Sequence, residues 1–332
     1  MATIKQVAER AGLSVATVSR YLNNHPYISE EKREKIKQAM LELDYTPSSI
    51  ATQLRSKKNT MIGVVVSRLT NPFFSYLIDT IEQQAKKQGY QVLIMQTYDD
   101  EHAQLKMLEL LKQHVISGVI LCSVEGKIET IEQYLTYGPI VLCNEEIRDS
   151  RLPQVFTRQE EATFNATEYL IKKGYHKISY CTGGTLVNGG HGNARTTGFE
   201  RALHAHQLSI QKDWIFKQVH TKQDGENVAR KLLTMPTAKQ PDAIFTSSDE
   251  VASGVLKVYL EAGKSIPADL AILGFDNQPY SDLLAVPLTT IEQPVKGLGE
   301  EATNLLLAKI EEKKYHIKEE HLVLKLIKRK SV

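Results

Sequence analysis

Val15, Ala16, Ser19 and Arg20 belong to the stretch GLSVATVSRYLNN, and on a helix they share an arc of roughly 140°. Methyl-bearing side chains followed one turn later by a guanidinium suit the major groove of DNA. The methyls of Val15 and Ala16 can meet thymine methyls, and Arg20 can grip a guanine edge or a phosphate. Thr3, Ser14, Thr17, Ser19 and Asn23 add short hydrogen-bonding groups of the kind that hold the sugar-phosphate backbone. Thr17, Val18, Tyr21 and Leu22 occupy the other side and can pack inward. Spacing alone leaves an ordinary three-helix packing unit as the alternative.

A second set of polar residues closes apolar runs further along the chain: Asn71, Thr97, Ser123, Asn144, Ser248, Asp249 and Asp276. Polar groups at strand C-termini line the crevice in which open α/β sheets bind ligands. Donors and acceptors in that number fit a sugar-like molecule. Asp249 has a second reading, since SSDEVASGV also places it as the N-cap of a helix.

The elements that must position these residues are legible. Thr3 with Gln6 forms a capping box ahead of Ile4, Val7 and Ala8, and Gly12 supplies the following turn. Ser14 caps a helix from Val15 to about Leu22. Ser29, followed by Glu30 and Glu31, opens a third helix whose inward stripe is Ile36, Ala39, Met40 and Leu43. From Thr60 the pattern changes to apolar runs (MIGVVV, YQVLIMQT, SGVILCS, GPIVLCN) separated by amphipathic stretches. After Val155 the series restarts with KISYCTGG, DAIFTSS and LAILGFD. Runs that read as buried on both faces are those of parallel sheets. The expected fold is an all-α helix-turn-helix headpiece over 1–45 and a hinge helix and linker over 46–57. Two doubly wound α/β lobes follow over 58–332. Lobe 1 takes 60–158 plus 292–320, and lobe 2 takes 159–291 plus the C-terminal strand.

Composition narrows the class. Among 332 residues, 42% are hydrophobic and 24% charged, the balance of a soluble globular protein. The first sixty residues hold ten Lys+Arg against six Asp+Glu, and the rest hold 31 against 33, so the basic excess sits at the end that carries the candidate reading helix. The sequence shows no secretory leader and no apolar run long enough to span a membrane, which implies a cytoplasmic protein with no membrane partner. Cys122, Cys143 and Cys181 lack metal or redox spacing and read as small core residues. GGTLVNGGHGN is neither a dinucleotide fingerprint nor a P-loop, no G-x-S-x-G elbow is present, and the ten histidines show no H-E-x-x-H. Neither catalysis nor a metal or other cofactor is expected.

Residues 3–54, from TIKQVAERAGLSVATVSRYL through YTPSSIATQL, closely resemble the N-terminal module of the LacI/GalR family of bacterial transcription regulators. The resemblance continues through IGVVVSRLTNPFF, SGVILCS, GNARTTGFERAL, SSDEVASGV, LGFDN and PLTTIEQP. NNHPYISEEKR and YGPIVLCNEE are nearest to its Gram-positive carbon-catabolite branch. It implies that Val15, Ala16 and Arg20 read bases and that Tyr45 and Pro47 begin the hinge. Ala51 and Leu54 then enter the minor groove, Leu54 as a wedge. Ser48 replaces the usual Asn, which weakens one phosphate contact. It further implies that Arg195 and Asp276 bind the effector and that the Phe73–Phe74 pair and His220 lie beside it. Asn144 stands where some members carry a carboxylate, and Ser248 where Asn is frequent. Arg158 and Gln159 replace an Asp-Asn pair, and Ser67 and Arg68 replace Pro-Asp. Extra arginines near a cleft suit a phosphorylated ligand, although surface arginines are the plainer reading. The implied partners are double-stranded DNA with a near-palindromic operator, a sugar or sugar phosphate, and a second copy of the chain. The alternatives are a catabolite-control regulator with a phosphocarrier-protein corepressor, for which Asn304 replaces a basic residue, and a free sugar-binding protein.

Overall fold

The computed structural model describes residues 2–22, 25–45, 59–147, 149–184 and 193–332. Contacts divide the chain into two units, Met1–Asn59 and Thr60–Val332. Asn23, Ser48, Ala51 and Leu54 lie outside the described residues, as does most of the glycine-rich stretch.

Among the described residues, the first unit is built on three helices, α1 (Ile4–Ala11), α2 (Val15–Leu22) and α3 (Glu30–Glu42). The Thr3–Gln6 capping box is present, and Gly12 ends α1 in the left-handed region at φ 64°, where a side chain would be strained. Ser14 Oγ accepts from the Thr17 amide at the start of α2. Ser29 precedes α3 without a side-chain capping bond. Val7, Ala8, Val18, Ile36 and Ala39 form the core, with Tyr21, Leu22, Met40 and Leu43 packed around them. So small a core has little stability to spare.

The second unit contains two parallel sheets of matching topology. In the first, β1 (Met61–Val66), β2 (Gln91–Gln96), β3 (Val119–Leu121), β4 (Ile140–Cys143) and β5 (Gln154–Val155) run in the order 2-1-3-4-5. Helices α4 (Pro72–Lys87), α5 (Glu101–Lys112) and α6 (Ile128–Glu132) connect them. In the second sheet, β6 (Ile178–Cys181), β7 (Ile215–Phe216), β8 (Ala243–Phe245), β9 (Ala271–Asp276) and β10 (Thr289–Glu292) repeat that pattern as 7-6-8-9-10. Strand β11 (Lys325–Ile327) is added antiparallel to β10. The connecting helices are α7 (Gln159–Lys172), α8 (Asn193–Ala205), α9 (Lys222–Thr234) and α10 (Asp249–Glu261), with α11 (Val295–Ile310) after β10.

The inner strands of each sheet are buried on both faces, which explains their unbroken apolar runs, whereas edge strand β2 is only half-buried. Leu77 and Ile81 of α4 and Leu298, Leu305 and Leu306 of α11 cover one face of the first sheet, and Met107, Leu108 and Leu111 of α5 cover the other. Helices α7 and α8 pack through Leu170 and Phe199 on one face of the second sheet, and α9 and α10 through Leu232 and Val255 on the other. Helix α11 therefore belongs with the first sheet although the strand before it belongs to the second. The chain crosses between lobes at β5–α7, β10–α11 and α11–β11. All three cysteines are free and buried. Among the described residues no helix is long and apolar enough to cross a membrane, and no His/Cys/Asp/Glu group could hold a metal.

Candidate functional site

On α2, Val15, Ala16 and Arg20 are exposed, Ser19 is half-buried and Val18 faces the core. A single helical face thus offers two methyl-bearing groups and a guanidinium to a groove. Ser14 and Thr17 share a 2.9 Å hydroxyl contact, and Thr3 stays exposed at its cap.

Asn144 and Asp276, at strand C-termini of the two lobes, are both linked to Arg195. Arg195 lies near the start of α8, and its guanidinium carbon sits 3.5 Å from the centroid of the Phe275 ring. Its Nε donates to Gln159 Oε1 at 2.6 Å and its Nη1 to the Ser247 carbonyl at 3.0 Å. Gln159 Nε2 in turn donates to Asn144 Oδ1 at 3.1 Å. Since Asn144 follows β4 and Arg195 belongs to α8, this chain of bonds links lobe 1 to lobe 2. Gly198 allows the approach, because a Cβ there would strike the Glu160 carbonyl at the start of α7.

Asp276 ends β9 at 8% exposure, with φ 108°, and accepts from Gln293 Nε2 at 2.8 Å. Burial pushes its carboxyl up to about 7, against the opposing pull of the Arg195 charge. Burial also lowers the Arg195 guanidinium, which Asp276 partly restores. Gln293 Oε1, on the side chain that donates to Asp276, is buried without a hydrogen-bond partner, as are Ser123 Oγ after β3 and Thr157 Oγ1 before α7. Buried polar atoms are normally paired, and unpaired ones at a crevice point to a ligand or solvent that pairs them.

Other named residues make contacts within their own lobes. Asn71 caps α4 by accepting from the Phe73 amide at 3.0 Å. Phe73 is buried in the lobe 1 core, while Phe74 packs edge-on against it and stays half-buried. Thr97 is buried and donates to Glu125 Oε1 at 3.1 Å. His220 lies against Gly183.

The helix cap at SSDE needs correction: Ser248, not Asp249, is the N-cap of α10, accepting from the Val251 amide at 3.2 Å. Asp249 is fully buried, and its carboxylate accepts from Ser281 Oγ (2.5 Å), Thr290 Oγ1 (2.5 Å) and the Gln278 amide (2.7 Å). It is therefore turned toward the base of the site and braces it from within the lobe. Burial raises its carboxyl to about 6 despite those donors.

The arginines considered for a phosphate are engaged elsewhere: Arg68 pairs with Asp99 at 2.5 Å, and Arg158 lies 3.6 Å from Glu319. Asn304 Oδ1 accepts from Gln84 and Gln88, and its Nδ2 donates to Tyr315, so it joins α11 to α4. Gln159, Gln293, Phe275 and the Ser247 carbonyl were not assigned site roles from sequence. For Gln159 the signal was its replacement of the usual residue beside Arg158. Ser247 and Phe275 directly precede Ser248 and Asp276, and Gln293 lies in PLTTIEQP.

Residues 3–48 match the family described as bacterial regulatory proteins, lacI family, and residues 59–330 match the periplasmic binding proteins and sugar binding domain of the LacI family. The chain belongs to the LacI family. It is 36% identical over 310 residues to the NTD biosynthesis operon regulator NtdR of Bacillus subtilis, covering 93% of each chain. It is 36% identical over 314 residues to the ribose operon repressor of Halalkalibacterium halodurans, covering 94% of this chain and 92% of that one. A LacI family transcriptional regulator from Lactobacillus casei, solved with bound glucose, is similar at TM-score 0.77 and 38% identity over 82% of this chain and 99% of that one. As a LacI family member, the chain is a DNA-binding regulator and not an enzyme.

Proposed function

We propose that this LacI family regulator is a homodimeric repressor of a carbohydrate-utilisation operon, controlled in the cytoplasm by a neutral sugar. Residues 1–45 form the DNA-reading headpiece, 46–57 the hinge, and 58–332 the effector and dimerisation core. The observation that carries the effector reading is Arg195 near Asp276, with Gln293 Oε1 left unpaired beside that acid. A sugar ring supplies hydroxyls that donate to Asp276 and accept from Arg195 and Ser123. Asn144, Phe74 and His220 complete the wall. Engagement of Arg68 by Asp99 and of Arg158 by Glu319 favours a neutral over a phosphorylated ligand.

Val15, Ala16 and Arg20 read one half-site each time the dimer meets a near-palindromic operator. The sugar closes one lobe on the other and acts on DNA through its different affinity for the two arrangements. The test is a thermal-shift titration with glucose, sucrose, ribose and glucose 6-phosphate, followed by operator binding with any responder. A ligand at a hundred times its dissociation constant adds about 2.7 kcal/mol of stability. A neutral sugar that shifts the midpoint and changes operator affinity supports the reading. A response to the phosphate alone, or to none of the four, overturns the neutral-sugar assignment.

A further inference from the structure

Asp276 and Asn277 both have positive φ, 108° and 50°; asparagine tolerates the left-handed region, but 108° is a backbone that a non-glycine residue keeps only when its surroundings impose it. Strand β9 ends at Asp276 and does not extend to Asn277, so the constraint comes from elsewhere. On one side the Asn277 amide donates to Thr290 Oγ1 at 3.3 Å and the Gln278 amide to the buried Asp249 carboxylate at 2.7 Å. The Asn277 side chain is held at both ends: its Nδ2 donates to Glu292 Oε2 and its Oδ1 accepts from Arg329 Nη2, each at 2.8 Å. Arg329 is itself fixed, since its Nη1 donates to the Leu288 carbonyl at 2.8 Å and its amide to Thr289 Oγ1 at 2.9 Å. Ser331, fully buried two residues on, donates to the Ile272 carbonyl at 2.6 Å and accepts from the Thr289 amide at 2.8 Å.

The geometry points to Arg329 as a positioning residue for the effector site, acting through Asn277 to hold the strained turn that aims the Asp276 carboxyl. The inference rests on the reading of Asp276 as an effector acceptor. A guanidinium is required because its rigid fork reaches two acceptors on two chain segments at once. A lysine keeps the charge but cannot span both. Arg329 joins the segment after β11, and so the last lobe crossover, to the residue adjoining Asp276.

The experiment uses the full chain and the variants Arg329→Lys, Asn277→Ala and their combination, with Arg329→Gln held in reserve should Arg329→Lys not fold. Amide hydrogen exchange over 274–281 is expected to quicken roughly tenfold in each single variant, the effect of one charge-assisted hydrogen bond. The double variant should exchange no faster than Asn277→Ala, because both remove the same link. Carbon-13 NMR of labelled aspartate should show the Asp276 carboxyl titrating at lower pH as the turn relaxes toward water. In Arg329→Gln, loss of the positive charge alone would move it the other way. Unchanged exchange in Arg329→Lys, additive exchange in the double variant, or an unmoved or rising Asp276 titration overturns the inference. Titration with glucose and sucrose separates the two readings. If the parent binds either sugar, Arg329→Lys should bind it about tenfold more weakly, and equal binding overturns the inference. If the parent binds neither, the sugar assignment fails, while exchange and titration still decide the role of Arg329.

Discussion

The guanidinium of Arg195 lies on the ring of Phe275 at 3.5 Å, so the cation of the candidate effector site is held against the residue immediately before its acid, Asp276. One short segment of β9 therefore supports both halves of a donor–acceptor pair. The stacking partner, the Gln159 amide oxygen and the Ser247 carbonyl define three directions that a lysine cannot satisfy together.

Arg195→Lys should accordingly shrink the effector-induced thermal shift and leave operator affinity in the absence of effector unchanged. Loss of one charge-assisted contact corresponds to about 1.5–3 kcal/mol, roughly ten- to a hundredfold in sugar affinity. Isothermal titration alongside a gel-shift assay checks both halves. An intact sugar response removes Arg195 from the site.

The Asp276 carboxyl is raised by burial to about 7, so between the ordinary carboxylate range and neutrality the folded chain holds a proton that the unfolded chain releases. Its contribution to stability is full below the unfolded pKa and is lost as pH rises through about 7. Asp249, raised by burial to about 6, acts in the same sense over a lower window. The unfolding midpoint of the second unit should fall between about pH 5 and about pH 7.5, and Asp276→Asn should flatten the upper part of that fall. Parallel pH profiles of parent and variant would contradict the assignment.

Gly198 brings α8 against the first turn of α7, and a Cβ there would meet the Glu160 carbonyl. Gly198→Ala should destabilise the second unit by roughly 1–3 kcal/mol, the usual cost of overpacking, and pull Arg195 away from Gln159. Urea unfolding measures the first effect and sugar titration the second. A variant as stable as the parent would show that the helices separate without cost.

Arg20→Ala separates two uses of that guanidinium. If Arg20 reads a base edge, the variant loses about 1–3 kcal/mol on the operator and becomes indifferent to one base pair. Binding measured across a panel of single-base operator variants provides the comparison. Uniform weakening on every sequence, with a shallower salt dependence, would make Arg20 a phosphate contact and overturn base reading.

Much of the fold was legible because it is written locally. The Thr3–Gln6 capping box, the left-handed Gly12 and the stripe of Ile36 and Ala39 depend on residues a few positions apart. The apolar strands were equally plain, since a strand buried on both faces needs no polar alternation. Adjacent residues competing for one role were harder. Ser248 and Asp249 are both good helix caps, and which one caps α10 follows from where the Asp249 carboxylate finds Ser281, Thr290 and the Gln278 amide. Which ring of the Phe73–Phe74 pair turns into the lobe 1 core is likewise decided only by packing.

The sequence by itself determined the order of elements, the lobe repeat and, through resemblance, the positions of Arg195 and Asp276. Tertiary structure alone decided what surrounds them. Arg195 takes its acceptors from Gln159 and Ser247, 36 and 52 residues away, and Asn277 takes its donor from Arg329, also 52 residues away. Helix periodicity and capping are set by neighbours within a turn or two, so they can be read along the chain. Hydrogen-bond partners at the ends of separate strands are set by sheet order and by helix approach, and these exist only after the lobes have packed.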